Sequence, residues 1–327
     1  MNESPEIIAS EQVNITSLSD DILHIIMCMV FNFSDFIECY KIGKINKQLN
    51  RIVLNIIPTL TQINFYNTTF ITFQKTDRLK QILKETKNIT TLELKKITCI
   101  NDVLLSLVYF LKDNTPLTTC RFNNLCQYSV RKTIKNKSAI TCYFLKAFLT
   151  DTTYIELNFS NMDTVNDDYR IIPLTTYLKK NIKLTTLDLS CNEFNLMYLK
   201  SIIEALIINK TLTKLNLSNT YVNPFHIVKI LKYNSTLTTL ILSNTCIAML
   251  NGVEKIAEIL KTNTSLTTLD LSCNKIHSLG IIAIAEAVKI NTTLTLLDLR
   301  CCNISVDGAK AITEALETNT RIQIITT

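Results

Sequence analysis

Glycine and histidine, on which many catalytic and cofactor sites depend, are scarce in this chain. Its 327 residues include four glycines and three histidines, and four glycines are too few for a glycine-rich loop that binds phosphate. His24, His226 and His277 fall on different predicted elements, with no cysteine or aspartate spaced to complete a catalytic set. We therefore expect a protein that is not an enzyme and needs no cofactor.

Long apolar runs and a secretion signal are also missing. No apolar stretch approaches the roughly 18 residues that a membrane span requires. The N-terminal segment MNESPEIIASEQ is polar, without the basic start and apolar core of a signal peptide. We expect a cytoplasmic or nuclear protein that is not secreted and has no membrane partner. Asn-x-Ser/Thr triplets, as at Asn67, Asn209 and Asn291, are then interpreted as a by-product of an Asn- and Thr-rich composition.

Cysteine spacing and charge distribution argue against two further kinds of site. The eleven cysteines form no CxxC cluster, which indicates reduced thiols and no metal site. Residues 1–150 carry 18 Lys and Arg against 12 Asp and Glu, a difference of 6 that equals the whole net charge of +6, because residues 151–327 carry 16 of each. Nucleic-acid-binding proteins generally show a denser basic stripe, so we expect no nucleic-acid partner.

One segment of eleven residues occurs twice in nearly identical form. LTTLDLSCNEF at 184–194 returns as LTTLDLSCNKI at 266–276, and similar segments recur along the chain at intervals of 25 to 37 residues. Self-similarity at such a period is the signature of a solenoid. The segments begin at Leu60, Ile89, Leu117, Tyr154, Leu184, Leu212, Leu237, Leu266, Leu294 and Ile322.

Each unit reads L-x-x-L-x-L-x-x-N/C-x-apolar, which predicts a short strand followed by a buried polar position. In the unit that begins at 266, Leu269 and Leu271 are two residues apart and point to one side of a strand. Asn274 is predicted to turn inward and to hydrogen-bond the backbone of neighbouring turns. Thr220, Thr245 and Cys302 occupy the same position in other units.

A helix is predicted after each strand. Residues 279–291 and 307–319 place apolar side chains at helical spacing, and three of the four glycines recur near the helix starts. Small residues there would let each helix lie close to its strand. The predicted core positions are Ile281, Ile284, Ala285, Val288, Ala309, Ile312 and Leu316, and the glycines are Gly252, Gly280 and Gly308.

This pattern resembles the leucine-rich repeat, and the 28-residue strand–helix unit is similar to the ribonuclease-inhibitor subtype. The resemblance covers residues 58–327, about nine to ten repeats. It implies an α/β solenoid, a curved horseshoe with a parallel sheet inside and helices outside.

Residues 16–57 do not repeat and read as a small all-α module of three helices that follows a flexible N-terminus at 1–15. The first helix is predicted to begin near Asp20, with Ser19 or Thr16 as its cap. The order of letters resembles an F-box: LSDDIL at 18–23 stands for Leu-Pro-x-Glu-Ile-Leu, and DFI at 35–37 stands for Asp-Leu-Leu. The apolar residues of this match are Leu18, Ile22, Leu23, Ile26, Phe36 and Ile42.

The F-box resemblance implies that these six residues bind the Skp-type adaptor of a cullin–RING ubiquitin ligase. The order of an F-box and then leucine-rich repeats is that of a substrate receptor, whose repeats bind the target protein. An alternative stays open: a stand-alone leucine-rich-repeat binding or inhibitor module, in which residues 16–57 only cap the end of the solenoid.

Residues between the strand leucines should point out of the sheet on its concave side and are the candidates for binding a target. This surface is predicted to be slightly basic near Lys95 and Arg121 and more acidic near the aspartates. A structural explanation also stays open, because small polar residues tolerate the inside of a curve. The candidates are Lys95, Arg121, Asp188, Ser190, Asn216, Ser218, Ile241, Asp270, Asp298 and Arg300.

Two further features concern the repeat edges. Cys191, Cys273 and Cys301 share one register, and Cys273 and Cys301 lie in adjacent turns, where they are either small residues at a crowded strand end or a redox clip. The sequence ends at RIQIITT, half a repeat in. An exposed final strand there predicts dimerisation through the C-terminus.

Overall fold

The structure is a computed structural model of the chain. It describes residues 62–66, 69–70, 88–95, 98–99, 109, 116–123, 126–127, 149, 154–161, 171–194 and 196–326. The predicted segments at 1–15 and 16–57, including all six predicted adaptor-binding residues, lie outside the described residues.

Ten strands form one parallel sheet in which each strand pairs with the next repeat along the chain, in the order β1-β3-β5-β7-β8-β9-β10-β11-β12-β13. Three two-residue strands form a second sheet, β2-β4-β6, in the first repeats. The strands are β1 (Gln62–Tyr66), β2 (Thr69–Phe70), β3 (Thr91–Lys95), β4 (Thr98–Cys99), β5 (Thr119–Asn123), β6 (Cys126–Gln127), β7 (Glu156–Asn158), β8 (Thr186–Asp188), β9 (Lys214–Asn216), β10 (Thr239–Ile241), β11 (Thr268–Asp270), β12 (Leu296–Asp298) and β13 (Gln323–Ile325).

Pairing is in register throughout, so equivalent letters of successive repeats stand side by side. Leu240 of β10 pairs with Leu215 of β9 and with Leu269 of β11. The less regular repeats join the same sheet, since β1 pairs with β3 and β3 with β5. The predicted stacking of repeats is confirmed.

Helices return the chain from one strand to the next. The helices predicted at 279–291 and 307–319 are present and begin one residue earlier. Asn223 and Ser305 cap two of them by accepting hydrogen bonds from Phe225 N and Gly308 N. The helices described from residue 171 onward are α1 (Ile171–Lys180), α2 (Leu196–Ile208), α3 (Pro224–Tyr233), α4 (Gly252–Leu260, after a 3-10 turn at Met249–Asn251), α5 (Ser278–Ile290) and α6 (Val306–Thr318).

The core lies between the sheet and these helices. Leu269 and Leu271 are fully buried, as are Ile281 and Ile284 on α5, so the predicted periodicity of strand and helix is confirmed there. On α6 the prediction for Ala309 is wrong, because Ala309 is exposed. The residues of α6 that face the core are Gly308, Ala311, Ile312 and Ala315.

The buried polar position after each strand works as predicted. The Asn274 amide donates to the carbonyls of Leu242 and Leu271, both at 2.8 Å, and its Oδ1 accepts from Thr245 N of the neighbouring repeat at 3.0 Å. Cys302 places its Sγ 3.2 Å from the carbonyl of Leu271. Its Sγ also lies 3.6 Å from the Arg300 carbonyl, so the thiol replaces two of the several hydrogen bonds that an amide makes.

A second set of buried asparagines, in the turn from helix to strand, was missed by sequence reasoning. Asn291 donates from Nδ2 to the carbonyls of Leu260 (2.6 Å) and Asn263 (3.0 Å), and its Oδ1 accepts from Leu294 N at 2.7 Å. Asn181, Asn209, Asn234, Asn263 and Asn319 occupy the same buried position in the other turns.

The compositional interpretation of the Asn-x-Ser/Thr triplets is therefore wrong at Asn209 and Asn291. Both side chains are buried, at 3% and 4% exposure. Each Oδ1 also accepts a hydrogen bond from the backbone N–H two residues later, at Thr211 and Thr293. The triplet is the sequence of a structural turn. Asn67 lies outside the described residues.

Two of the recurring glycines differ in how tightly they are enclosed. A Cβ at Gly252 would overlap the Ile247 carbonyl oxygen and would lie 2.5 Å from Pro224 Cβ. A Cβ at Gly308 would meet Ile281 Cγ2 at 2.9 Å, which is the end of a side chain. Among the three described glycines, a backbone atom blocks a side chain at Gly252 alone.

We predict that Asn291→Ala lowers the free energy of unfolding by about 3 kcal/mol, because it leaves buried carbonyl and N–H groups without partners. Thr292→Ala is the matched control, since Thr292 is the adjacent residue and is exposed. Urea unfolding followed by circular dichroism measures both. Equal stability of the two variants would contradict the assigned role of the asparagine.

We predict that Gly252→Ala lowers the free energy of unfolding by about 3 kcal/mol, the upper range for overpacking. Gly308→Ala should change it by about 1 kcal/mol or less, because the helical preference of alanine offsets a contact with a movable methyl group. The same unfolding measurement compares them. A larger loss of stability for Gly308→Ala than for Gly252→Ala would contradict the assignment of the tighter backbone contact to Gly252.

Candidate functional site

The predicted target-binding residues of the later repeats lie on the open face of the sheet, opposite the helices. The last residues of β8, β9, β10 and β11 are half-buried there, while Asp298 at the end of β12 is buried. Lys95 is the last residue of β3. These strand-end residues are Asp188, Asn216, Ile241, Asp270 and Asp298.

Four of these five side chains also have a structural role. The Asp188 carboxylate accepts from Ser190 N at 2.9 Å, and Asp270 accepts from Ser272 N at 2.8 Å. Asn216 and Asp298 accept from the backbone N–H groups of Ser218 and Arg300. A side-chain oxygen that bonds the backbone two residues later ends the strand in a tight turn. The Asp/Asn-x-Ser pattern is therefore explained first by the turn.

Burial and ion pairs further reduce what the open face offers to a target. Ser190 is only 8% exposed. Arg121 Nε lies 2.8 Å from Glu156 Oε1, so its charge is paired. Arg300 Nη2 lies 2.6 Å from Asp298 Oδ2. Burial raises the pKa of Asp298, but the hydrogen bonds and charge of Arg300 outweigh it and hold that pKa below its usual value.

A row of exposed apolar side chains runs along the edge of the solenoid where the helices begin. Four of them stand thirteen residues after the starts of four successive repeats, and the fifth stands at the first position of α6. We call this set the apolar row. Its members and exposures are Met197 (66%), Phe225 (46%), Leu250 (63%), Leu279 (72%) and Val306 (87%).

The apolar row is widened at its middle by two neighbours. Tyr221 is 51% exposed and Met249 is 50% exposed, and Tyr221 Oη lies 4.0 Å from Met249 Sδ. The Lys255 ammonium lies 4.6 Å from the centre of the Phe225 ring. Contiguous exposed apolar surface with aromatic and thioether groups is typical of protein-binding sites.

The opposite edge, where the helices end, is apolar in fewer places. Ile208, Tyr233 and Ile290 are exposed there, each four residues before a repeat start, and Ile182 is exposed just after the end of α1. Thr262 and Thr318 hold the equivalent positions in the other two repeats. The apolar row is therefore continuous over five repeats, whereas this second set is interrupted.

Sequence reasoning missed the apolar row, although a signal was present. An apolar residue recurs at the helix start of successive repeats, outside the helical spacing of the buried core. Helical periodicity selects the residues that face the sheet, so a residue out of phase with it is passed over. Only the placement of the helix starts shows that these residues share one edge.

The two described histidines lie on different elements, as the sequence predicted. His277 is exposed, and its carbonyl accepts from Gly280 N at the start of α5. His226 on α3 has a buried Nδ1 with no hydrogen-bond partner in the described structure. Burial lowers the pKa of His226 from 6.5, and the charges of Lys229 and Lys200 lower it further. His24 lies outside the described residues.

In the part of the chain that the structure describes, no group of three or more His, Cys, Asp or Glu side chains could hold a metal ion. No helix in that part is both long and apolar enough to cross a bilayer.

Comparison with known proteins supports the presence of leucine-rich repeats in this chain. A family profile described as "Leucine Rich repeat" matches residues 180–195, 262–285 and 291–312. The leucine-rich repeat-containing protein LegL7 from Legionella pneumophila is similar in structure, with a TM-score of 0.53 and 17% identity over 85% of this chain and 87% of that one. The profile and this likeness show a leucine-rich-repeat fold, as the sequence predicted.

Two weaker likenesses accompany it. The Rad7 and Elc1 complex in yeast gives a TM-score of 0.49 at 15% identity over 84% of this chain and 72% of that one. The actin-binding site 2 of leiomodin-1 gives 0.34 at 26% identity over 39% of this chain and 75% of that one. No curated protein matches, and no F-box domain is found.

We predict that the protein loses stability as the pH falls below about 6.5, where the unfolded chain protonates His226 more readily than the folded one does. The loss should stop once the pH is below the lower pKa of the folded state. His226→Gln should flatten this dependence, measured as thermal unfolding between about pH 7.5 and 5. His277→Gln is the exposed control, and a flattened profile for it instead would contradict the assignment.

Proposed function

We propose that this chain is a protein-binding adaptor whose repeats hold a target protein along the apolar row. The continuous exposure of apolar side chains over five repeats is the observation that carries this proposal. Leucine-rich-repeat solenoids present extended surfaces of this kind to partners. Several charged side chains of the open face are already engaged in turns and ion pairs. In this proposal the open face therefore forms the polar rim of the interface, and the apolar row forms its centre.

The length of the apolar row favours a macromolecule over a small ligand. Packed helices lie about 8–10 Å apart, so five consecutive helix starts extend over roughly 40 Å. A small molecule would cover one or two of these side chains and leave the others in water. A protein surface can cover all of them and reach the roughly 800 Å² per partner of a stable interface.

The finer proposal is that the chain is the substrate receptor of a cullin–RING ubiquitin ligase. Its support is the F-box-like order of letters at 18–49, followed by the repeats. In this proposal Leu18, Ile22 and Leu23, together with Ile26, Phe36 and Ile42, bind the Skp-type adaptor, and the ligase subunits supply all the chemistry. The chain itself would then be no enzyme and would act in the cytoplasm or nucleus.

We predict that Phe225→Glu combined with Leu279→Glu removes the target protein without unfolding the chain. Hot-spot side chains of this kind each contribute about 2 kcal/mol to binding, so the pair should weaken it at least a hundredfold. Ile208→Glu combined with Ile290→Glu, on the opposite edge, is the matched control. Affinity capture with quantitative mass spectrometry should find proteins held by the wild type and the control and lost from the row variant.

Equal capture by all three proteins would contradict a role for the apolar row. Circular dichroism should first show that both double variants unfold at the wild-type temperature. A row variant that unfolds earlier would be replaced by Phe225→Ser with Leu279→Ser, which keeps the test on the same two positions with a smaller change.

We predict that the full chain binds a purified Skp-type adaptor and that Leu18→Ala with Ile22→Ala abolishes this binding at unchanged thermal stability. Isothermal titration calorimetry and thermal unfolding give the two readouts. Absence of wild-type binding, together with lower stability of the variant, would select the alternative in which residues 16–57 only cap the solenoid.

A further inference from the structure

A line of left-handed residues follows the strand ends. The residue seven places after the repeat start has a positive φ of 51° to 56° in six repeats. We call this the seventh position. Asparagine adopts such a conformation more readily than most residues, and it occupies three of the six positions. The six are Asn161, Cys191, Asn219, Asn244, Cys273 and Cys301.

Side chains at the seventh position of adjacent repeats reach each other. Asn244 Nδ2 donates to Asn219 Oδ1 at 2.9 Å across one turn of the solenoid. The backbone is held in the same way in both pairs of repeats, since Asn219 N donates to Ser243 O and Cys273 N donates to Arg300 O, both at 2.8 Å. Identical backbone geometry therefore brings the side chains of Cys273 and Cys301 together as it does the two amides.

The strands that end three residues before these cysteines have the spacing that a disulfide requires. β11 and β12 pair in register, with Asp270 beside Asp298. Paired parallel strands lie about 4.8 Å apart, within the range of about 4.4–6.8 Å between the Cα atoms of a disulfide. Cys273 and Cys301 are both exposed free thiols.

We propose that Cys273 and Cys301 form a reversible disulfide that joins two neighbouring repeats. The proposal is independent of the proposed function and names oxidised glutathione as the oxidant. One thiolate attacks the glutathione disulfide, forms a mixed disulfide and releases one glutathione thiolate. The second cysteine, as thiolate, attacks the protein sulfur and releases the other glutathione thiolate. The two protons of the cysteines pass to the departing thiolates.

Two other cysteines, Cys191 and Cys302, lack the combination of exposure and a neighbouring cysteine that Cys273 and Cys301 have. Cys191 has the same register, the same φ of 56° and the same exposure, but its neighbours at the seventh position are Asn161 and Asn219. Cys302 is buried and places its Sγ 3.2 Å from the Leu271 carbonyl. Burial raises the pKa of Cys302 to about 11, so it remains a thiol near neutral pH.

The disulfide would tie β12 and α6 to the preceding repeat. In a solenoid each repeat contacts only its neighbours, so the stack can open between two repeats by breaking a single interface. A covalent link between adjacent turns opposes that opening. Amides of residues 296–318 should therefore exchange hydrogen more slowly after oxidation, while amides of 186–216 should not change.

The test uses the full chain in buffers of oxidised and reduced glutathione, followed by blocking of free thiols and tryptic digestion. The expected result is a linked pair of peptides, 262–275 with 301–310, that disappears on reduction. Cys301→Ser and Cys273→Ser should abolish it. Cys302→Asn, which restores the asparagine found at that position in other repeats, should keep it, and so should Cys191→Ser.

Three results would overturn the proposal. The first is a linked peptide that survives in Cys301→Ser and is lost in Cys302→Asn, because the bond would then involve Cys302. The second is mixed glutathione disulfides at Cys273, Cys301 and Cys191 alike, with no linked peptide. The third is a link that appears only between chains on a non-reducing gel.

Discussion

The repeats stay stacked because the backbone groups between strand and helix find their hydrogen-bond partners in the adjacent turn. Asn274 supplies them after the strand and Asn291 after the helix, and each reaches a carbonyl of the preceding repeat. An isolated repeat would leave these buried groups unpaired, at a cost that a short strand and one helix cannot offset. Stability therefore belongs to pairs of repeats, as the nearest-neighbour behaviour of solenoids requires.

The same requirement determines which residues remain for binding. Polar side chains of the open face have structural partners: Asp270 ends its strand by accepting from Ser272 N, and Asp298 holds Arg300. Leu279 and Val306, at the starts of α5 and α6, lie outside the core, because these helices face it with Ile281 and Ala311 instead. Apolar groups such as Leu279 can therefore be exposed there without weakening the fold.

Sequence alone predicted the stacked strands, the helices at 279–291 and 307–319 (each begins one residue earlier in the structure) and the inward amide of Asn274, because each follows from the recurring pattern of the repeats. It did not predict the role of Asn291, whose partners Leu260 and Asn263 lie in the preceding repeat. Nor did it find the apolar row or the burial of Asp298. These depend on the position of one repeat relative to the next, which a one-dimensional pattern does not contain. Ala309 shows a related limit: the predicted buried face of α6 included this exposed residue instead of its buried neighbour Gly308.

The left-handed backbone at the seventh position limits which amino acids can replace one another along the line of strand ends. Side chains branched at Cβ are strained there, so valine, isoleucine and threonine are disfavoured whatever their surroundings. Amide and thiol have both been accepted, with nearly the same torsion at Asn244 and Cys273. The chemistry displayed along this line can thus be exchanged one repeat at a time while the main chain stays as it is. A reactive group can be gained or lost there by a single codon change without first remaking the scaffold.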